Sequence, residues 1–282
     1  MTPVNMLQNI LGHERELAQI QRALAGEKIP HAYLFCGMEG IGKCRIAYAL
    51  AEALDCKSDL RLIEPLGTTI KIEVIRELKS SAYLHPLEGS SKVVLVNDAH
   101  ALTDAAANSL LKILEEPPSQ TYFILITSRP LKLLPTIRSR CQRIEFSPLT
   151  EAEIEKKLVR DGLPPEEAKQ RAKLGEGSLK QAMEMDIAFI GQVETELEKL
   201  GFRPPPSQIF KTAENWVDDE EKIPRLFGIL NHLWHQKIMA RQSGPRPETL
   251  KQWEAIQSAQ RGFESYANKQ LLMENLLFQL TS

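Results

Sequence analysis

Five short apolar runs punctuate the first half of the chain, with amphipathic stretches between them. The runs are Ala32-Tyr33-Leu34-Phe35-Cys36, Arg61-Leu62-Ile63-Glu64, Val93-Val94-Leu95-Val96, Tyr122-Phe123-Ile124-Leu125-Ile126 and Gln142 to Phe146. The Val93 run is unbroken, which marks a strand buried on both faces. Between the runs, apolar residues recur at helical spacing: Leu17, Ile20 and Leu24 within His13–Leu24, then Ile72, Ile75, Leu78 and Ala82 within Ile70–Ala82. An Ala-rich stretch from Arg45 to Leu54, a helix from Thr103 to Glu115 halted by Pro117-Pro118, and a short helix around Leu134–Ser139 complete the alternation. This order predicts an α/β fold with a parallel five-stranded sheet covered by helices on both faces.

The pattern changes at Pro148, beyond which no strand is predicted. Thr150-Glu151-Ala152-Glu153 reads as a capping box opening a helix to Arg160. Leu163-Pro164-Pro165 opens a second, broken at Gly175–Gly177, and Ser178-Leu179-Lys180-Gln181 opens a third. From about Ile187 a further helical set follows, with an apolar stripe at Leu226, Ile229, Leu230, Leu233 and Trp234. Asn268 is the N-cap of its terminal helix, and breaks fall at Pro204-Pro205-Pro206 and Gly244-Pro245-Arg246-Pro247. The expected division is 1–148, 149–186 and 187–282.

One stretch carries chemistry. Gly37-Met38-Glu39-Gly40-Ile41-Gly42-Lys43-Cys44 lies between the first strand and an Ala-rich helix, the context that gives a phosphate-binding loop physical meaning. Gly37, Gly40 and Gly42 let backbone N–H groups curl round phosphate oxygens, and Lys43 reaches the outer phosphates. Cys44 stands where a Ser or Thr hydroxyl would bind magnesium, and a neutral thiol is a poor ligand for that hard cation. The Ile10-Leu11 turn could pack on an adenine, although a plain helix start is the simpler reading.

The formal net charge of −2 gives no general signal for nucleic acid or membrane, so any such contact needs a local patch. Lys71, Arg76, Lys79 and Lys92 do not form a dense basic run. The four cysteines, Cys36, Cys44, Cys56 and Cys141, lack metal or disulfide spacing and read as reduced thiols. With no leader pattern and no membrane-length apolar run, a soluble cytoplasmic protein is expected.

Several stretches together resemble the AAA+ subunits of DNA sliding-clamp loaders. They are His31-Ala32-Tyr33-Leu34-Phe35 running into the loop, Asn108-Ser109-Leu110-Leu111-Lys112-Ile113-Leu114-Glu115-Glu116-Pro117-Pro118, Ile137-Arg138-Ser139-Arg140-Cys141, and Gly177-Ser178-Leu179-Lys180. The resemblance covers residues 1–185 and fades beyond. It implies an AAA+ nucleotide-binding-like domain, a helical lid and an all-α collar over the three segments above. Many such loaders carry a four-cysteine zinc module after the first helix of the nucleotide domain. Leu54-Asp55-Cys56-Lys57-Ser58-Asp59 holds one cysteine, so no zinc is expected.

In a working ATPase of this class the third strand ends in Asp-Glu, and here those positions hold Asn97 and Asp98. Asn97 offers the metal a neutral carbonyl, and Asp98 is one methylene too short for the Glu role. A strand-end turn is the plainer reading of the pair. Weak or vestigial ATP or ADP binding through the intact glycines and Lys43 stays open. The resemblance places Arg140 as an arginine finger acting in trans on a neighbouring subunit, against the alternative of an ordinary exposed arginine. Lys180 falls where the family places a sensor arginine, and reads more simply as a solvated helix residue. Thr127 and Ser128 hold the first sensor position. The implied partners are gamma/tau-type and delta-type subunits in a hetero-oligomeric ring, with the sliding clamp and primed DNA reached through the complex. A catalytically active gamma/tau-type or replication-factor-C-like ATPase is the alternative. A delta-type subunit that opens the clamp directly is another, but no exposed hydrophobic clamp-binding element is read on the first domain.

Overall fold

A computed structural model describes residues 10–26, 29–56, 58–82, 85–86, 89–219, 222–239, 246–264 and 268–282. Lys57 and Gly244-Pro245 of the second break lie outside them. The chain divides into two compact units, Met1–Glu184 and Met185–Ser282.

In the first unit, helix α1 (Glu14–Ala25) leads to strand β1 (Ala32–Cys36), and the glycine loop leads to α2 (Lys43–Ala53). Then come β2 (Leu60–Ile63), α3 (Ile72–Ala82), β3 (Lys92–Val96), a 3₁₀ turn (Ala99–Ala101), α4 (Asp104–Glu115) and β4 (Thr121–Thr127). A second 3₁₀ turn (Pro130–Lys132), α5 (Pro135–Arg138) and β5 (Gln142–Glu145) follow, and α6 (Glu151–Arg160), α7 (Pro165–Leu174) and α8 (Leu179–Glu184) end the unit. The five strands form one sheet in the order β2-β3-β4-β1-β5, with every pairing parallel.

Alternation along β1 explains the two cores. Ala32, Leu34 and Cys36 point to one side with Val94, Phe123, Leu125, Leu110 and Ile113. Tyr33 and Phe35 point to the other with Ile46, Leu50, Ile124, Ile126 and Phe146. Each fully buried aliphatic or aromatic side chain contributes roughly 1.5–3 kcal/mol, so the central strands are the least yielding part of the unit. A third, smaller cluster, Leu149, Ile154, Leu158, Ala168, Ala172 and Ala182, lies under α6 to α8. The capping box at Thr150 forms as expected, with Thr150 Oγ1 accepting from Glu153 N and the Glu153 carboxylate accepting from Thr150 N. Leu66 and Leu131 are 85% and 83% exposed, Leu66 on a turn whose N–H donates to Thr69 O at 3.1 Å.

The described residues of the second unit fold as helices: α9 (Ile187–Leu200), α10 (Pro206–Val217), α11 (Ile223–Met239), α12 (Pro247–Glu264) and α13 (Lys269–Leu280). Asn268 caps α13 through Leu271 N at 3.2 Å, as its position predicted. Leu226, Ile229, Leu230 and Trp234 of the expected stripe are buried. Side-chain amides cross from α11 to α12: Asn231 Nδ2 donates to Gln260 Oε1 at 3.0 Å, Gln257 Nε2 donates to Asn231 Oδ1, and Trp234 Nε1 donates to Gln252 Oε1 at 3.0 Å. No helix among the described residues is long and apolar enough to cross a membrane.

Candidate functional site

The loop leaves the carboxyl end of β1, at the central part of the sheet, and ends in the first turn of α2. Gly37 N donates to Thr127 O at 3.2 Å, which ties the loop's start to the end of β4. A Cβ at Gly37 would lie 2.5 Å from Phe146 O, so the backbone can pass under β5 only as glycine. His13, which precedes α1, is buried and hydrogen-bonds through Nε2 to Ile41 O at 2.8 Å, with its ring edge-on to Phe146 at 5.2 Å. The loop is thus held from three separate parts of the chain, and the sequence offered no local signal for the part played by His13.

Lys43 is buried, and its Nζ donates to Gly37 O at 2.8 Å and to Met38 O. Burial pushes its ammonium below the usual lysine range, while the charges of Asp98 and Glu39 work in the other direction. The lysine neutralises its own loop's carbonyls. Beside it, burial raises the Cys44 thiol above its usual value, and the negative charges of Glu64 and Asp98 add to the effect. Cys44 is therefore a neutral thiol at physiological pH.

Asn97 lies at the end of β3 and donates from Nδ2 to Glu64 Oε1 at 3.0 Å, so its amide is engaged across the sheet. Asp98 adopts a left-handed backbone with φ 48°, and its Oδ1 lies 4.0 Å from His100 Nδ1. This is the strand-end turn that the plainer reading expected. His100 Nδ1 is also 3.2 Å from Thr127 Oγ1, which accepts from Arg129 N at 3.0 Å. The sensor-position threonine is occupied within its own turn.

Lys180 is the exposed helix residue of the simpler reading, and it has partners as well: its Nζ pairs with Glu39 Oε1 at 2.9 Å, and its backbone N–H donates to Gly40 O at 3.0 Å. Ser178 Oγ donates to Glu39 O at 3.0 Å. Gly40, with φ +78°, has no room for a side chain, because a Cβ would lie 2.6 Å from Lys180 Cβ. The hydrogen bond to Lys180 holds the Glu39 carboxyl below its usual value, and the same bond raises the Lys180 ammonium.

The residues present do not fit a magnesium nucleotide. Beside the loop, the cavity among Ile10, Leu11, Ile41, Leu149 and Leu179 holds only about 30 Å³. That is roughly one water's share of liquid volume. The metal side offers a thiol, a neutral amide carbonyl and a short carboxylate. A larger cavity, about 690 Å³, lies at the opposite end of the sheet, among Leu24, Leu54, Ser91 and Tyr122, away from the loop. No cluster of three or more metal-ligating side chains occurs among the described residues.

Arg140 follows α5, remote in sequence from the loop. Its Nη2 lies 2.7 Å from Glu115 Oε1, and its Nη1 donates to Thr136 O at 3.1 Å. The side chain remains 35% exposed. Cys141 beside it is buried, and burial pushes its thiol up to about 12.

Known proteins resemble this chain. The family model described as DNA polymerase III, delta subunit, matches residues 12–59 and 57–150. DNA polymerase III subunit delta' of Bacillus subtilis (strain 168) is 34% identical over 181 residues, covering 57% of this chain and 55% of that protein. DNA polymerase III subunit tau of Escherichia coli (strain K12) is 32% identical over 220 residues, covering 67% of this chain and 34% of that protein. The chain thus spans about half the length of the first relative and about a third of the second. Among solved structures, a gamma subunit-related protein of DNA polymerase III from Thermotoga maritima superposes with TM-score 0.56 at 22% identity, covering 94% of this chain and 98% of that one. The RuvB Holliday junction branch migration motor of Thermotoga maritima gives TM-score 0.54 at 18% identity, covering 95% of this chain and 88% of that one. At those identities the two superpositions speak for an AAA+ P-loop fold alone.

Proposed function

We propose a role for this chain from one premise: it belongs to the DNA polymerase III clamp-loader family. Within that family we read it as a delta-prime-type subunit that does not hydrolyse ATP. It would hold its place in a hetero-oligomeric ring with gamma/tau and delta subunits, and present Arg140 to the ATP site of a neighbour while the complex loads the sliding clamp on primed DNA.

The observation that carries the reading is the dismantled metal side. Cys44 is a neutral thiol, and Asn97, held through Nδ2 to Glu64 at 3.0 Å, has only a neutral carbonyl to offer a metal. Without two of the groups that hold Mg²⁺, charge on a transferring phosphoryl group would lack its metal counterion in this pocket. Arg140, by contrast, sits at the surface in the Ser139-Arg140-Cys141 triplet, where a neighbour's phosphates can reach it. A guanidinium supplied in trans is worth about 10³–10⁵ in rate at the site it serves.

The test has two arms. The isolated chain should show no Mg²⁺-dependent ATP hydrolysis; clear turnover would favour an active gamma/tau-type ATPase instead. A loader reconstituted with Arg140→Ala should assemble normally and lose the clamp- and DNA-stimulated turnover of one neighbouring site. An unchanged rate would take Arg140 out of the mechanism.

A further inference from the structure

Absent metal ligands bear on hydrolysis of a bound nucleotide and leave open whether the loop admits one. A glycine loop at a helix N-terminus can take phosphate without metal. We propose that this loop is closed in cis: Ser178 and Lys180 fasten α8 onto Glu39 and Gly40, and this contact shuts the pocket to nucleotide.

Three contacts join the two parts. Ser178 Oγ donates to Glu39 O at 3.0 Å, Lys180 N donates to Gly40 O at 3.0 Å, and Lys180 Nζ pairs with Glu39 Oε1 at 2.9 Å. The first two hold the loop's outer carbonyls, and Ser178 is buried in making its bond. The third takes the one cation of α8 near the loop and turns it to a carboxylate of the same chain. Leu149 N also donates to Gly177 O at 3.0 Å, so the segment before Ser178 is fixed to the segment leaving the sheet. Beside this clasp the cavity that Leu179 of α8 lines with Ile10, Leu11, Ile41 and Leu149 holds about 30 Å³. A purine needs several times that volume, so α8 must swing away before a base can enter. Inside the loop, Lys43 is satisfied by Gly37 O and Met38 O, which removes its need for a phosphate partner.

The contact costs the site its ligand in a calculable way. When only a fraction of molecules is open, the apparent dissociation constant rises by the inverse of that fraction. The proposal goes beyond the non-hydrolysing reading, and the two can fail separately. Tight nucleotide binding without turnover would overturn the closure and leave that reading standing.

The experiment is calorimetric titration of the full chain with ADP and with ATP, each with and without Mg²⁺. It is paired with hydrogen exchange over residues 151–184. The wild-type chain should bind neither nucleotide at concentrations up to about 1 mM. Glu39→Ala/Ser178→Ala should bind ADP at least about tenfold more tightly, without needing Mg²⁺, and its residues 151–184 should exchange faster until ADP is added. Glu39→Gln, which keeps the side chain's volume and its exposed position, serves if the double variant folds poorly, and should show the same changes at a few-fold level. Micromolar binding of ADP by the wild-type chain would overturn the proposal. So would variants whose exchange rises while their affinity stays at the wild-type level.

Discussion

Glu115 and Arg140 form an ion pair between the end of α4 and the turn after α5, with Oε1 and Nη2 separated by 2.7 Å. Both side chains are partly exposed, 48% and 35%, so solvent screens the pair and its net worth is about 0–1 kcal/mol. A pair this weak can exchange its carboxylate for a phosphate. Glu115→Gln should therefore lower stability by less than about 1 kcal/mol in urea unfolding, and leave the stimulated turnover of a reconstituted loader intact. A large loss of turnover would mean that the carboxylate itself is needed where the arginine acts.

The Glu39–Lys180 pair gives a pH dependence with a definite sign. The Glu39 carboxyl is held below its ordinary 4.5, chiefly by the bond to Lys180, so its contribution is present above that value and is lost as pH falls through the lowered one. Lys180 is raised above its ordinary 10.5, so its contribution is present below that value and is lost as pH rises through the raised one. Opening of residues 178–184, measured by hydrogen exchange corrected for intrinsic rate, should be flat between these limits and increase outside them. High salt should increase opening within the window, because both side chains are well exposed to screening ions.

Phe35 tests the core. It is fully buried, and its ring meets Phe146 edge-on at 5.0 Å and Tyr33 at 6.1 Å. Phe35→Ala should destabilise the first unit by about 3–5 kcal/mol in urea unfolding. A loss below about 1 kcal/mol would mean that the surroundings collapse into the vacated space.

The thiols give a chemical check. With burial holding Cys141 at about 12 and Cys44 above its ordinary 9.0, neither is a thiolate at pH 8. Alkylation by iodoacetamide should leave both unmodified in the folded chain on a timescale that labels them fully in urea. Rapid native labelling of Cys44 would show that the loop is open.

Legibility in the sequence followed the range over which each cause acts. Val93–Val96 and Tyr122–Ile126 were readable as buried strands because both faces of a covered parallel sheet demand apolar residues. Thr150, Asn268 and the glycine loop were readable because a cap or turn is settled within a few residues. The pairing of Lys180 with Glu39 was not legible, because the two lie 141 positions apart. Asn97 was suspected from its place after β3, but its bond to Glu64 depends on β2 and β3 lying side by side. His13 was invisible as a support for Ile41 for the same reason.

The amides that cross from α11 to α12 act as a ruler for the second unit. Leucine against leucine tolerates a slide of one helix along another, because one apolar contact replaces another at little cost. Asn231, Gln257 and Gln260 do not allow it, since a shift would part donors from acceptors in a half-buried seam. Drift at the surrounding aliphatic positions can therefore change how firmly these helices hold together, while their alignment is kept by three uncharged side chains.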